Sequence, residues 1–217
     1  PFAVLIIIGL LLGFYLSRAL DLESAAVAQM EMMVEQGAMT KEQMEERLPM
    51  ATWFAGTQLI AMTSIGSIIV CLVIAGYAKL FSLFAGAENQ FKPLLSVTIF
   101  ATLAVTIVQS GLTVLILLMK GSGEVDPTQM RSLVASNLGA ILSSMLGDDA
   151  LPRFIMGLAT AIDVFVIWMI ALLAIGYSVV SRKLKTSTAA IWLGGAYAII
   201  AIIGAAIGSI FSIRAGR

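Results

Sequence analysis

The sequence predicts an all-α integral membrane protein with five transmembrane helices, and three observations support this prediction. The chain of 217 residues is 59% hydrophobic and 12% charged, whereas soluble domains are about 45–50% apolar and about 25% charged. Mean hydropathy is +0.99. Five stretches reach or approach the ~20 apolar residues that a helix needs to cross the hydrocarbon, and the alternating pattern of a β-strand is missing from the sequence.

The predicted spans belong to one membrane domain, residues 1–217. They cover about 2–20, 53–84, 94–119, 154–180 and 189–213. The chain opens on apolar residues with neither Met nor a basic segment, so this opening is not an intact signal peptide. We expect a cytoplasmic N-terminal stretch to precede it.

The connection between the first two spans is predicted to contain two helices. Four apolar residues of segment 22–37 recur at helical spacing opposite three glutamates, namely Val27, Met30, Met33 and Val34. This pattern is typical of an amphipathic helix. A second helix should begin after Thr40, which forms a capping-box pattern with Gln43, and Pro49 should close it. We expect the pair to lie on the membrane surface or on the helix bundle, and a partner-docking surface is the alternative.

The third connection is predicted to contain one short helix. Asp126 and Pro127 form a start signal, with the acid as N-cap and the proline at the first helical position. The following segment, 131–147, separates apolar residues from serines on two helix faces. At about 17 residues it is borderline for crossing a bilayer. We therefore predict that residues 128–147 are interfacial or re-entrant, and a sixth span here would change the topology.

Basic residues near the span ends predict the orientation. The turn after the fourth span carries Arg182, Lys183 and Lys185, and the turn after the second carries Lys79 and Lys92 against one glutamate. The first and third connections each hold three basic residues, against seven and four acidic ones. We predict a cytoplasmic N-terminus and an extracytoplasmic C-terminus.

Asp163 is the ionisable residue that lies well inside a predicted span. A charge at the centre of a membrane helix costs about 2.5–3.5 kcal/mol on insertion scales, so this side chain must face the bundle, face a wet cavity or be protonated. Its candidate hydrogen-bonding partners are polar residues on its own face or on other spans: Thr160, Gln58, Gln109 and Ser110. We interpret Asp163 as a clamp between helices, with proton or cation binding and ligand recognition as alternatives.

The fifth span carries a stripe of small residues. Its members are spaced four apart, as Ala201 with Ala205 and Gly204 with Gly208. Such spacing lets another helix approach closely. We expect packing within the bundle, and a homodimer contact is the alternative.

The residue types leave little room for catalysis or metal binding. Histidine is missing from the sequence, which excludes a Ser-His-Asp triad and the usual zinc sites. Cys71 is the one cysteine in the sequence, and a single thiolate provides too few ligands for a metal site. The formal charge of zero argues against nucleic acid as a partner. We predict that the protein is not an enzyme and that it binds no cofactor. A soft-metal sensor stays open through thioethers, with Met30, Met32, Met33 and Met39 as its ligands.

Three segments carry a family resemblance. They are "IDVFVIWMIALLAIGYSVV" with the following "AAIWLGGAYAIIAIIGAAIGSIF", "LFAGAENQFKPLLSVTIFA" at 83–101, and "GAMTKEQMEE" in the first connection. The matching positions are Asp163, Phe165, Trp168, Leu172 and Gly176, together with Gly86, Phe91 and Lys92. The chain thereby resembles the bacterial branch of the Yip family, the Ypt/Rab-interacting membrane proteins, loosely over its whole length and well over 83–213.

This resemblance implies five spans with a cytoplasmic N-terminus, most simply in a bacterial cytoplasmic membrane. Eukaryotic members are associated with Rab GTPases and vesicle traffic, while bacterial members have no settled activity. The resemblance favours a membrane scaffold or partner-binding subunit, whose partners are the lipid bilayer, other membrane proteins or a second copy. The alternative is a permease or transporter accessory subunit for a small solute, ion or lipid that uses Asp163.

Overall fold

The chain is helical through most of its described part, which comprises residues 1–87, 89–120, 134, 136–147, 150–181 and 183–215 of a computed structural model. The α-helices are α1 Phe2–Ala19, α2 Leu22–Glu35, α3 Lys41–Ala61, α4 Ser67–Phe84, α5 Phe91–Lys120, α6 Leu138–Leu146, α7 Arg153–Ala161, α8 Val164–Val180 and α9 Thr186–Ala215. A π-helical turn, Met62–Gly66, joins α3 to α4. The predicted all-α class is confirmed.

Among the described residues, four helical segments are long and apolar enough to cross a membrane by length and composition. They are Phe2–Ala19, Lys41–Phe84, Phe91–Met119 and Thr186–Ile210, and they correspond to the first, second, third and fifth predicted spans. The prediction of an integral membrane protein is confirmed. The predicted fourth span is wrong in one respect, because the structure divides it into α7 and the shorter apolar helix α8.

The described residues fall into two compact units. Unit 1 is formed from Pro1–Cys71 and Thr106–Val134, and unit 2 from Leu72–Val105 and Ala135–Arg217. The boundaries lie inside α4 and α5, so each of these helices contributes to both units. The single domain predicted from the sequence stays a prediction.

In unit 1, α1 lies directly against α3 and the π-helical turn. A Cβ atom on Gly9 would overlap the Thr63 carbonyl oxygen and lie 2.7 Å from the Ser64 Cα, and one on Gly13 would lie 2.8 Å from the Ile60 Cα. The Thr63 hydroxyl donates to the Gly9 carbonyl at 2.8 Å. The four-residue spacing of the two glycines is the small-xxx-small pattern of membrane helix contacts.

The first connection contains the two predicted helices. The Asp21 carboxylate caps α2 by accepting from the Ser24 hydroxyl at 2.6 Å and from its N–H at 3.0 Å, and these bonds lower the pKa of Asp21. Thr40 and Gln43 form the predicted reciprocal capping box, with bonds of 3.1 and 3.2 Å. Of the predicted apolar face of α2, Met30 is buried and Met33 is 40% exposed.

Pro49 does not close the second helix, which corrects the prediction. Helix α3 continues through Pro49 to Ala61, and Lys41–Phe84 forms one helical segment of 44 residues. A proline inside a helix removes a main-chain donor and crowds the carbonyl four residues earlier. Pro49 and Glu45 are both exposed, so water can hydrogen-bond the freed carbonyl and the helix tolerates the proline.

In unit 2, an aromatic cluster between α4, α5, α8 and α9 extends from the buried Phe81 and Tyr177 to the half-buried Tyr77 and the more exposed Trp192. The ring of Phe81 stacks on Trp192 at 6.1 Å and contacts Tyr177 at 6.3 Å. The hydroxyls of Tyr177 and Thr98 are 2.6 Å apart, and the Tyr77 hydroxyl donates to the Trp192 carbonyl at 2.9 Å. Each tyrosine thus satisfies its polar end while its ring fills the core.

The Gly9 contact gives a stability test. Gly9→Ala is expected to destabilise the protein by about 1–3 kcal/mol, because the added methyl group meets main-chain atoms that cannot move aside without distorting the π-helical turn. Thermal unfolding in detergent measures the change. The matched control is Gly111→Ala on α5, where no atom lies within 4 Å of the new Cβ, so stability should be kept or slightly raised. Equal stability of the two variants would contradict the close contact.

Candidate functional site

A break separates α7 from α8 inside the predicted fourth span. Helix α7 ends at Ala161, Ile162 is extended, and Asp163 is the N-cap of α8 with φ −121° and ψ 134°. The 17 residues of α8 rise about 25 Å at 1.5 Å each, so Asp163 lies about that far from the other end of α8. In hydrocarbon, a helix that stops leaves main-chain groups that need partners from the protein.

The Asp163 carboxylate supplies some of these hydrogen-bond partners. One carboxylate oxygen accepts from the N–H groups of Phe165 at 2.7 Å and Val166 at 3.3 Å. The other accepts from the Ser136 hydroxyl at 2.6 Å. An acid at this position is favoured by the free N–H groups and by the positive end of the helix dipole. Asp163 therefore caps α8 and also ties it to a segment 27 residues earlier in the chain.

Main-chain pairing joins the segments that lead into α6 and α8. Asn137 and Asp163 form an isolated antiparallel bridge. Two hydrogen bonds flank it, from Leu138 N to Ile162 O at 2.9 Å and from Val164 N to Ser136 O at 3.0 Å. Asn137 is 3% exposed and is itself the N-cap of α6. Two helix N-termini thus meet at one short piece of extended backbone.

Helices α6 and α9 both contact the end of α7 beside the break. The Tyr197 hydroxyl on α9 donates to the Ala161 carbonyl at the end of α7, at 2.7 Å. Gly139 on α6 lies so close to α7 that a Cβ atom there would be 2.9 Å from the Thr160 nitrogen. The break is therefore a packed feature of unit 2, with its freed carbonyl satisfied by a side chain.

The geometry corrects one helix prediction and describes part of another. The predicted continuous span 154–180 is interrupted because the Asp163 carboxylate and residues 136–138 bond the main chain at the break in place of a helical turn. Of the helix predicted over 131–147, the described part is α6, which begins at Leu138 after its N-cap Asn137. Its nine residues rise about 13.5 Å, too short to cross ~30 Å of hydrocarbon. The predicted start signal at Asp126 and Pro127 lies outside the described residues.

Of the predicted partners of Asp163, only Thr160 belongs to the same unit, and it does not bond to the carboxylate. Thr160 lies beside the break, but its hydroxyl donates to the Met156 carbonyl at 2.9 Å. The other three belong to unit 1: Gln58, Gln109 and Ser110. For these three the contact with Asp163 stays a prediction, and within unit 2 the bond to Asp163 comes from Ser136.

Sequence reasoning missed Ser136 and Asn137 as site residues. A signal was available at both helix starts, because Asn137 and Asp163 each stand directly before an apolar run, as N-cap residues do. The spacing pattern of the serines placed Ser136 inside a helix instead. The bridge between the two caps carries no local sequence signal.

The small residues of α9 differ in how closely they are packed. A Cβ atom on Gly157 of α7 would lie 3.1 Å from the Ala205 Cβ, so Ala205 provides the predicted close packing within the bundle. Ala201 is half-buried. A Cβ atom on Gly204 or Gly208 would meet no atom of another described element within 4 Å. The stripe is therefore packed at Ala205 and open at the two glycines within unit 2.

The site offers a structural role more readily than a chemical one. Both carboxylate oxygens of Asp163 already accept hydrogen bonds from the protein. Among the described residues, no group of three or more His, Cys, Asp or Glu is placed to hold a metal ion. The arrangement can orient four helical segments, and its polar groups are directed at the chain's own backbone.

Comparison with known families gives one match. The sequence model of a family described as the Yip1 domain matches residues 1–208. Comparisons with curated proteins and with solved structures gave no match. The matched range includes the break, the basic turns and most of α9, and it confirms the resemblance predicted from the segments around Gly86 and Asp163.

Two substitutions at Asp163 test the capping role. Asp163→Asn is expected to keep the free energy of unfolding nearly unchanged, because asparagine is an equally good N-cap and still accepts from the main chain. Asp163→Leu should destabilise by about 1–3 kcal/mol, because it leaves the donors at Phe165, Val166 and Ser136 without their acceptor. Unfolding in detergent measures both. A leucine variant as stable as the native protein would show that the carboxylate does not hold the break.

Proposed function

The chain belongs to the Yip1 domain family and is a multi-pass membrane protein, and from this premise we propose that it is a non-enzymatic scaffold that binds other membrane proteins. The observation that supports the proposal best is the open face of α9 at Gly204 and Gly208. In lipid, helices associate through close van der Waals packing, which small residues allow. A partner's transmembrane helix fits such a face.

The exposed and buried parts of α9 support this use. Near its start the helix buries Ala189 and Leu193 in the core of unit 2. Gly204 follows Leu193 by about three turns. It therefore lies on nearly the same side of α9, since successive residues turn by about 100°. The neighbouring isoleucines there are exposed, with Ile203 at 52% and Ile207 at 49%. A groove floored by glycine and walled by isoleucine is the shape that receives another helix.

We also propose that the N-terminus is cytoplasmic and that the membrane is the bacterial inner membrane. The Lys183 ammonium donates to the Gly86 carbonyl at 3.4 Å, so the turn after α4 and the turn after α8 lie at the same end of unit 2. Lys79 and Lys92 flank the first turn, and Lys183 and Lys185 lie on the second. Their common position supports the charge-based orientation, in which basic turns stay in the cytoplasm.

A second function, that of a permease or transporter accessory subunit, is favoured by one observation. Transporters bind substrates and ions at discontinuous membrane helices, and the break at Asp163 is such a discontinuity. The hydrogen bonds at Asp163 weigh against it, because Ser136, Phe165 and Val166 already occupy the carboxylate. We therefore place the scaffold first.

The scaffold proposal predicts a loss of partners without a loss of stability. The double variant Gly204→Leu/Gly208→Leu should unfold at the native temperature or above, because no atom lies within 4 Å of either new Cβ. Membrane proteins that co-purify with the native chain should be several-fold depleted, as measured by quantitative mass spectrometry. Gly195→Leu, an exposed glycine elsewhere on α9, is the matched control and should keep them. Equal recovery from all three proteins would contradict the proposal.

The transport alternative predicts a different result at Asp163. Uptake of a candidate solute into proteoliposomes should fall sharply in Asp163→Asn, which removes the charge and keeps the cap. The scaffold proposal expects the same variant to fold and to retain its co-purifying partners. Uptake that is unchanged by Asp163→Asn would remove the transport alternative.

A further inference from the structure

We propose that unit 2 binds a phosphate-bearing anion at the end where α4 and α8 finish and α5 and α9 begin. The site, called the basic end, is defined by Lys79, Asn89, Ser181 and Lys183. Its ligand is a phosphate group, either on an anionic phospholipid or free in solution. This inference is independent of the scaffold proposal, because it concerns the opposite end of α9 from Gly204 and Gly208.

Two lysines from different elements converge on one turn. The Lys79 ammonium, on α4, donates to the Asn89 carbonyl, and the Lys183 ammonium, on the turn after α8, donates to the Gly86 carbonyl at 3.4 Å. Each ammonium carries three donors, so both keep hydrogens for a further acceptor. Among the described residues, neither lysine forms an ion pair with a carboxylate.

Two buried polar atoms at the same end have no hydrogen-bond partner in the described structure. They are the Ser181 hydroxyl, on a residue only 2% exposed, and the Asn89 side-chain nitrogen. Buried polar groups nearly always have a partner, and each exception calls for an explanation such as an ion. Hydrogen bonding of the lysines to the turn between α4 and α5 accounts for the ammonium contacts, but it leaves Ser181 and Asn89 unexplained. A bound anion accounts for all four groups.

The helix ends and the local charge favour an anion. Helices α5 and α9, each of 30 residues, begin here without an acid in the first turn, so their free N–H groups can donate to an anion. The dipoles of α4 and α8, which end here, oppose those of α5 and α9, so the excess of positive charge comes from the lysines. Lys92 and Lys185 are exposed beside them. In the sequence, the two connections hold five basic residues and one acidic residue.

The donor set suits phosphate better than a carboxylate. A free phosphate has four oxygens and up to two charges, and the phosphodiester of a phospholipid has two non-ester oxygens and one charge. In both, the tetrahedral phosphorus directs the acceptors more widely than a planar carboxylate does, which suits ammonium, hydroxyl and amide donors from different elements. Lysine acts on phosphate as a point charge without demanding one geometry. The span ends flanking the site place it at the level of lipid headgroups, where basic pockets between membrane helices bind anionic lipids.

Thermal unfolding of the whole purified chain tests the site and separates the two phosphate sources. One arm compares nanodiscs of phosphatidylcholine alone with nanodiscs that also contain phosphatidylglycerol. The other arm titrates inorganic phosphate into detergent solution against chloride at equal ionic strength. A rise in melting temperature in the lipid arm alone identifies a phospholipid headgroup, and a rise in the phosphate arm identifies free phosphate as sufficient. No rise in either arm would overturn the proposal.

Variants show whether the rise comes from the basic end. Lys79→Gln/Lys183→Gln should weaken the apparent affinity at least tenfold, whereas Lys41→Gln/Arg47→Gln, which removes two charges from exposed positions on α3, should not. Ser181→Ala should unfold at the same or a higher temperature without ligand, since it removes an unpaired hydroxyl, and should bind several-fold more weakly. An unchanged affinity in Ser181→Ala, or in a folded Lys79→Gln/Lys183→Gln protein, would overturn the proposal.

Discussion

In hydrocarbon there is no water to hydrogen-bond the peptide backbone, so each main-chain N–H and C=O must find a partner within the protein. Most of this chain meets that requirement with unbroken helices. At Ile162 and Asp163 it does so differently, because a helix ends and another begins within an apolar segment. The bridge to Asn137, the Asp163 carboxylate and the Tyr197 hydroxyl supply the partners, and the arrangement of α6, α7, α8 and α9 depends on them.

The same requirement explains how the helices come close to one another. Backbone polar atoms are consumed inside each helix, so helices in lipid gain free energy mainly from tight packing and from a few polar contacts. Gly9 lets α1 reach the π-helical turn, where the Thr63 hydroxyl bonds across. Gly139 lets α6 reach α7 beside Thr160. In both places a glycine and a short hydroxyl side chain occupy the point of closest approach.

The structural site at Asp163 and the two proposed binding surfaces lie on different parts of unit 2. The Asp163 carboxylate accepts hydrogen bonds from its own chain. Its charge therefore stabilises the structure by joining two segments. The open α9 face and the basic end instead keep unfilled contacts: space beside Gly204 and Gly208, and unpaired polar atoms at Ser181 and Asn89. These are the places where another helix and an anion would complete the packing and hydrogen bonding of the chain.

Several features could be read from local patterns in the amino-acid order. Runs of apolar residues located four spans, because the length of a membrane helix follows from the thickness of hydrocarbon. Thr40 and Gln43 located the start of α3, because a capping box involves neighbours three residues apart. The pattern around Asp163 indicated the Yip1 domain family, which the match over residues 1–208 supports.

Tertiary contacts decided the remainder. Asp163 became an N-cap because Ser136 and Asn137, more than 20 residues earlier, lie against it, and helical spacing alone cannot report that pairing. The equal spacing of Ala205 and Gly204 did not show that one packs on Gly157 while the other stays open. Hydropathy and capping act between neighbours along the chain. Which distant segments meet depends on how whole helices fit together, and that is settled only in three dimensions.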